Sequence, residues 1–128
     1  MSSRIYVIYR GEKLTIEWYY DQRGRSQALS YYQDLDIEQR RKFFYLIRSM
    51  GDLGKINDKT KFRNEGDQIY AFKPKPDRFF SFFASGGKLI ITNAFCKKQD
   101  KVPSEEKKRA VDAKKDYERR VKEGVYYE

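Results

Sequence analysis

The spacing of apolar residues changes twice along the chain. Residues 4–9 and 13–20 are dense in β-branched and aromatic side chains and are divided by Arg10-Gly11-Glu12, which predicts a β-hairpin. After a turn at Asp21-Gln22-Arg23-Gly24 the apolar residues recur every three to four positions. Ser26 is placed to cap a short helix carrying Ala28, Tyr31, Tyr32 and Leu35. Asp36 and Gln39 form a capping-box pattern that opens a second helix, with Phe43, Leu46, Ile47 and Met50 on one face and Gly51 and Gly54 at its end. Trp18 is expected in the core against this second helix.

From Gln68 the pattern returns to that of strands. Gln68 to Lys73 reads as one strand, stopped by Pro74 and Pro76, which have no N–H for a ladder. Arg78 to Ala84 and Lys88 to Phe95 are the next two, joined by Ser85-Gly86-Gly87, and both are apolar on alternate and intervening positions, as central strands are. Beyond Pro103 a charged helix carries a narrow stripe of Ala110, Ala113 or Lys114, Tyr117 and Val121. Its interleaved charges fit a solvated helix held by i,i+4 pairs, and its stripe fits a partner-facing surface. The order predicts an α+β fold in which an antiparallel twisted sheet carries the helices on one face, leaving the other face for a ligand. Residues 1–128 read as a single domain, with residues 1–11 as an N-terminal extension that adds an edge strand or meets a partner.

Composition narrows the chemistry. The chain of 128 residues has no histidine, which excludes a Ser-His-Asp triad, a Cys-His pair and a zinc helix of the H-E-x-x-H type. Catalysis would have to run on Lys, Arg, Tyr and carboxylates. The single cysteine, Cys96, excludes an internal disulfide and suits the reducing cytoplasm, and it is expected to be a small buried residue. No stretch reads as a signal peptide or membrane span. Eleven Tyr, nine Phe and one Trp provide a core from few, large side chains despite a low mean hydropathy.

The formal charge of +9 is uneven: residues 1–54 carry +2, residues 55–101 carry +6 and residues 102–128 carry +1. The middle segment interleaves Lys61, Arg63, Lys73, Lys75, Arg78, Lys97, Lys98 and Lys101 with aromatic residues. Cations beside flat rings are what a single-stranded nucleic acid binds, phosphates on the former and bases on the latter. Solvated lysines at strand ends and a Phe-rich core strand would give the same pattern.

The runs Phe62-Arg63-Asn64-Glu65-Gly66, Ile69-Tyr70-Ala71-Phe72-Lys73-Pro74-Lys75, Arg78-Phe79-Phe80 and Ala94-Phe95-Cys96-Lys97-Lys98-Gln99-Asp100-Lys101-Val102-Pro103 together resemble the RelE/HigB superfamily of type II toxins, in its phage-related HigB-like branch. The resemblance covers about residues 13–128. It implies a RelE-like fold and a toxin that cuts mRNA, usually on the ribosome, without metal or other cofactor. It also implies silencing by a cognate antitoxin, often a helix-turn-helix protein. By position, Lys73, Arg78 and Lys98 match basic catalytic residues of ribosome-dependent members, with Lys75 and Lys97 as flanking phosphate contacts and Lys61, Arg63 and Lys101 as further RNA contacts. The sequence departs from the pattern at Ala71 and Asn93, and Tyr126 and Tyr127 would meet a site only if the tail folds back.

Cleavage of RNA by its own 2′-OH needs a base for that hydroxyl, charge stabilisation at the phosphorus and a proton for the leaving 5′-oxygen. Lys73, crowded by cations, is the candidate base, Arg78 the electrostatic clamp, and Lys98 a phosphate contact or proton source. Two other functions stay open at this point: a ParE-like, non-enzymatic inhibitor of DNA gyrase, and an RNA-binding module without cleavage.

Overall fold

A computed structural model describes residues 4–98 and 103–127. It contains β1 (Val7–Arg10), β2 (Thr15–Trp18), α1 (Gln27–Gln33), α2 (Ile37–Leu53), β3 (Phe62–Gly66), β4 (Ile69–Phe72), β5 (Asp77–Ala84), β6 (Lys88–Cys96) and α3 (Ser104–Lys122). The six strands form one sheet in the order β1-β2-β6-β5-β4-β3. The two strands that are apolar throughout, β5 and β6, are central. The N-terminal strand β1 pairs antiparallel with β2 and forms one edge, and β3, which sequence periodicity did not mark as a strand, forms the other.

The sheet is mixed, which corrects the expectation of an antiparallel one. β2 runs parallel to β6, with Thr15 opposite Lys88 and Trp18 opposite Ile91. Parallel neighbours need a long crossover, and here the chain passes through α1, α2 and three further strands before it returns. The predicted hairpin, β1 with β2, does precede the helices; the arrangement of α1 and α2 differs, with α1 lying against β6 and α2 against β1 and β2.

Both helix starts follow from their caps. The Ser26 hydroxyl accepts from Leu29 N–H, and the Asp36 carboxylate accepts from Gln39 N–H. α2 ends at Gly54, which takes the left-handed conformation at φ 76°. Gly51 lies inside the helix, where the chain passes so close that a Cβ on Gly11 would sit 2.1 Å from the Gly51 carbonyl carbon. On this face Ile16, Trp18, Phe72, Phe79, Leu89 and Ile91 meet Ala28, Phe43, Leu46, Ile47 and Met50. Trp18 stacks on Phe43 at 5.8 Å, as expected for a core tryptophan against the second helix.

The opposite face is not free, contrary to the expectation that it was left for a ligand. Ile69, Ala71, Phe80, Phe82, Ile90 and Phe95 are covered by Ala110, Ala113 and Tyr117 of α3 and by Tyr126 of the C-terminal tail. Alternation explains this: strands apolar at successive positions present two apolar faces, and each needs a cover. Val121 is 41% exposed and falls outside the stripe, whereas Arg120 is 7% exposed and falls inside it. Arg120 is paid for by partners: its guanidinium donates to Asp116 at 2.7 Å and to the Tyr20 carbonyl at 2.9 Å. Asp116 also accepts from Tyr19 at 2.5 Å and from Gln22 at 2.9 Å. Ala71 is fully buried beneath this layer. The Asn93 amide donates to the Glu106 carbonyl and side chain, each at 3.0 Å, so this residue anchors the start of α3.

The tail does fold back. Tyr127 donates to Glu17 at 2.6 Å, and Lys88 reaches the Tyr127 hydroxyl at 3.0 Å. This contact lies at the β5–β6 turn end of the sheet, away from Lys73 and Arg78.

Candidate nucleic-acid interface

The β4–β5 connection carries the residues of interest, and it is pinned from below. Asp77, 3% exposed, accepts from the Tyr31 hydroxyl and from Gln39 Nε2 at 2.6 Å. The same Gln39 amide donates to the Pro74 carbonyl at 2.7 Å and to the Lys75 carbonyl at 3.2 Å. The capping-box glutamine thus bonds the loop from α2 instead of turning back on its own helix. Burial, and then the hydrogen bond to Asp77, push the Tyr31 hydroxyl well above the ordinary tyrosine range, so it stays a donor. The Lys75–Pro76 bond in this loop is cis.

Lys73 follows β4 directly. Its backbone N–H donates to the Lys61 carbonyl at 2.8 Å and its ammonium to the Lys59 carbonyl at 3.2 Å, which ties it to the edge of β3. Desolvation, followed by the charges of Arg78, Arg63 and Lys75, lowers its pKa below that of a free lysine, and Glu65 opposes the shift. Arg78, at the start of β5, is 8% exposed, and its Nη1 donates to the Asp77 carbonyl at 3.0 Å. Burial pushes its pKa down as well, with Glu65 opposing. Glu65 on β3 is therefore the carboxylate that answers both cations, a residue whose part the sequence did not reveal.

Lys73 stands where two clefts meet. One, of about 530 Å3, lies between α2 and the loops, lined by Glu38, Arg41, Lys42, Tyr45, Lys61 and Lys75 among others. The second, of about 750 Å3, runs along the β3 edge past Lys59, Arg63, Asn64 and Tyr70. The structure thus brings together Lys61, Arg63, Lys73 and Lys75, and adds Arg41, Lys42 and Lys59. Arg78 lines neither cleft, but it lies near enough for its charge to oppose protonation of Lys73.

The remaining residues are less engaged. Lys97 joins the loop through its backbone, donating to the Pro76 carbonyl at 3.0 Å. Lys98 is exposed beyond β6, and Lys101 lies outside the described residues. Cys96 is exposed, which corrects its expected burial: it is the last residue of β6, opposite Asp77, where the sheet ends. Among the described residues no group of three or more Cys, Asp or Glu side chains could hold a metal ion, and no helix is long and apolar enough to cross a membrane.

These features describe a small basic α+β protein in which Arg41, Lys42, Lys59, Lys61, Arg63, Lys73 and Lys75 line two adjoining clefts at one end of a covered sheet. The model of the family described as phage-derived protein Gp49-like (DUF891) matches residues 30–115, and the chain belongs to that family, one of RelE/HigB-like toxins of toxin–antitoxin systems. No curated protein matches the chain.

Proposed function

We propose that this protein is the toxin of a toxin–antitoxin pair: a metal-independent endoribonuclease of RelE-like fold that cuts mRNA on the ribosome and halts translation. A cognate antitoxin, of helix-turn-helix type, would hold it silent. Family membership supports the toxin reading, and the observation that carries the nuclease reading is the crowded Lys73 amine at the junction of two basic clefts.

The chemistry runs on Lys73 as base. An amine with a lowered pKa is neutral in a larger fraction of molecules, and its bond to the Lys59 carbonyl uses an N–H and leaves the lone pair for the 2′-hydroxyl proton. The 2′-oxygen then attacks phosphorus, the bond to the 5′-oxygen breaks, and a 2′,3′-cyclic phosphate and a 5′-hydroxyl result. Arg78 disfavours protonation of Lys73 and acts on the developing negative charge. Lys61, Arg63, Lys75, Lys97 and Lys101 hold neighbouring phosphates, and Lys98 contacts the scissile phosphate or supplies the leaving-group proton.

Induction in growing cells tests this reading. Growth should stop with mRNA cut inside translated codons and supercoiling intact, and a Lys73→Ala, Arg78→Ala variant should be harmless. Loss of supercoiling with intact mRNA would instead identify a gyrase inhibitor, and salt-dependent RNA binding without any product would identify a binding module.

A further inference from the structure

Tyr45 is the unexplained side chain at this site. It is 66% exposed and, among the described residues, makes no hydrogen bond and no ring contact. Most of this ring's surface is left open on the helix. It is positioned by spacing: Glu38, Arg41, Lys42 and Tyr45 fall at i, i+3, i+4 and i+7, so they share one face of α2. That face is one wall of the cleft of about 530 Å3, and Lys61, Lys73 and Lys75 form the other. Five cations line this cleft against one carboxylate, Glu38, which is engaged by Arg41 at 3.5 Å.

We propose that this cleft is a nucleotide subsite, in which Tyr45 stacks on an unpaired base of single-stranded RNA while Lys61, Lys75 and Lys42 take the adjoining phosphates. The inference rests on the nuclease reading and adds to it a path for the strand, from Lys73 along α2. The volume suits one nucleotide, the charge suits its phosphates, and the free ring supplies the flat surface that a base needs and that lysines lack. An acidic protein segment would satisfy the cations but would leave the ring without a planar partner, so RNA is the occupant that uses every wall of the cleft.

Binding of a short, fluorescently labelled single-stranded RNA with 2′-O-methyl sugars tests this, because the blocked 2′-oxygen cannot attack and binding is read apart from cleavage. Tyr45→Ala should weaken binding by about 5- to 150-fold, the range for loss of one base–aromatic stack. Tyr45→Phe should bind as the unaltered protein does. The salt dependence should stay unchanged in Tyr45→Ala, because stacking releases no counterions, and should flatten in Lys42→Ala. Equal binding by Tyr45→Ala and the unaltered protein would overturn the inference while leaving the nuclease reading intact if unmodified RNA is still cut. Failure of the unaltered protein both to bind and to cut would overturn both. Tyr45-dependent binding of a glutamate-rich peptide, with no such dependence for RNA, would reassign the cleft to a protein partner.

Discussion

The surroundings of Lys73 set the acidity of its amine. Desolvation and then the charges of Arg78, Arg63 and Lys75 oppose its protonation in the folded chain, while the unfolded chain imposes neither. With a folded pKa below the unfolded value, the protonated lysine destabilises the fold, and the penalty is relieved as pH rises through the folded pKa towards the unfolded one. The gain in stability of the unaltered protein as pH rises through that window should therefore be absent in Lys73→Met, which should also not cleave; the same pH gain in the variant with cleavage retained contradicts the assignment. Lys73→Arg should stay inactive, since a guanidinium does not give up its proton. The resemblance, by position, is what pointed to Lys73, at the end of a strand that Pro74 and Pro76 stop. Arg41, Lys42 and Tyr45 were not legible in the sequence, because an outward helix face reads as solvated until the Lys73–Lys75 loop is laid across it. Glu65 was missed for a related reason: its part is visible only once β3 pairs with β4.

At the scale of elements, the β4–β5 loop is positioned by α1 and α2 through Tyr31, Gln39 and Asp77. Hydrogen bonds to a buried charged group contribute about 1.5–3 kcal/mol each. Tyr31→Phe should lower the unfolding free energy by about that amount and reduce cleavage although Tyr31 lines neither cleft; unchanged stability in chemical denaturation would show that the loop is held otherwise. α3 is fastened by Asp116. Burial alone would raise its pKa, but hydrogen bonds from Tyr19, Arg120 and Gln22 outweigh it and the net shift is downward. A carboxylate with a depressed folded pKa adds stability that is present above its unfolded pKa and is lost as pH falls through the folded value. Asp116→Asn should be less stable than the unaltered protein at neutral pH and should lose less stability on acidification, measured by urea midpoints. A parallel fall in both proteins would place the acid sensitivity elsewhere.

Apart from β3, the strand and helix order was readable because caps, prolines and glycines punctuate it, as at Ser26, Asp36, Pro74 and Gly86. The parallel pairing of β2 with β6 was not, because nothing local to Thr15–Trp18 records which strand will lie beside it. Nor did the sequence show which way the narrow stripe of α3 would turn. Arg120 reads as polar, yet with Asp116 and the Tyr20 carbonyl to satisfy it, it enters the covered face and Val121 is left outside.

For the whole molecule, the two-sided cover of the sheet decides where function can lie. With α1 and α2 on one face and α3 and the tail on the other, the open ground is the end and edge of the sheet. Of the cationic segment of residues 55–101, which carries +6 of the total +9, Lys59, Lys61, Arg63 and Lys75 line the two clefts that meet at Lys73, whereas Lys88 lies at the other end of the sheet. The central claim is that the cluster at Lys73 cuts RNA, and the direct measurement is cleavage of a defined mRNA by purified protein on translating ribosomes with a chelator present. The account predicts fragments with 2′,3′-cyclic phosphate and 5′-hydroxyl ends, and a loss of rate of about 10²–10⁴ on removing the Lys73 base alone. Intact mRNA, or cutting at full rate by the Lys73→Ala, Arg78→Ala variant, would contradict it.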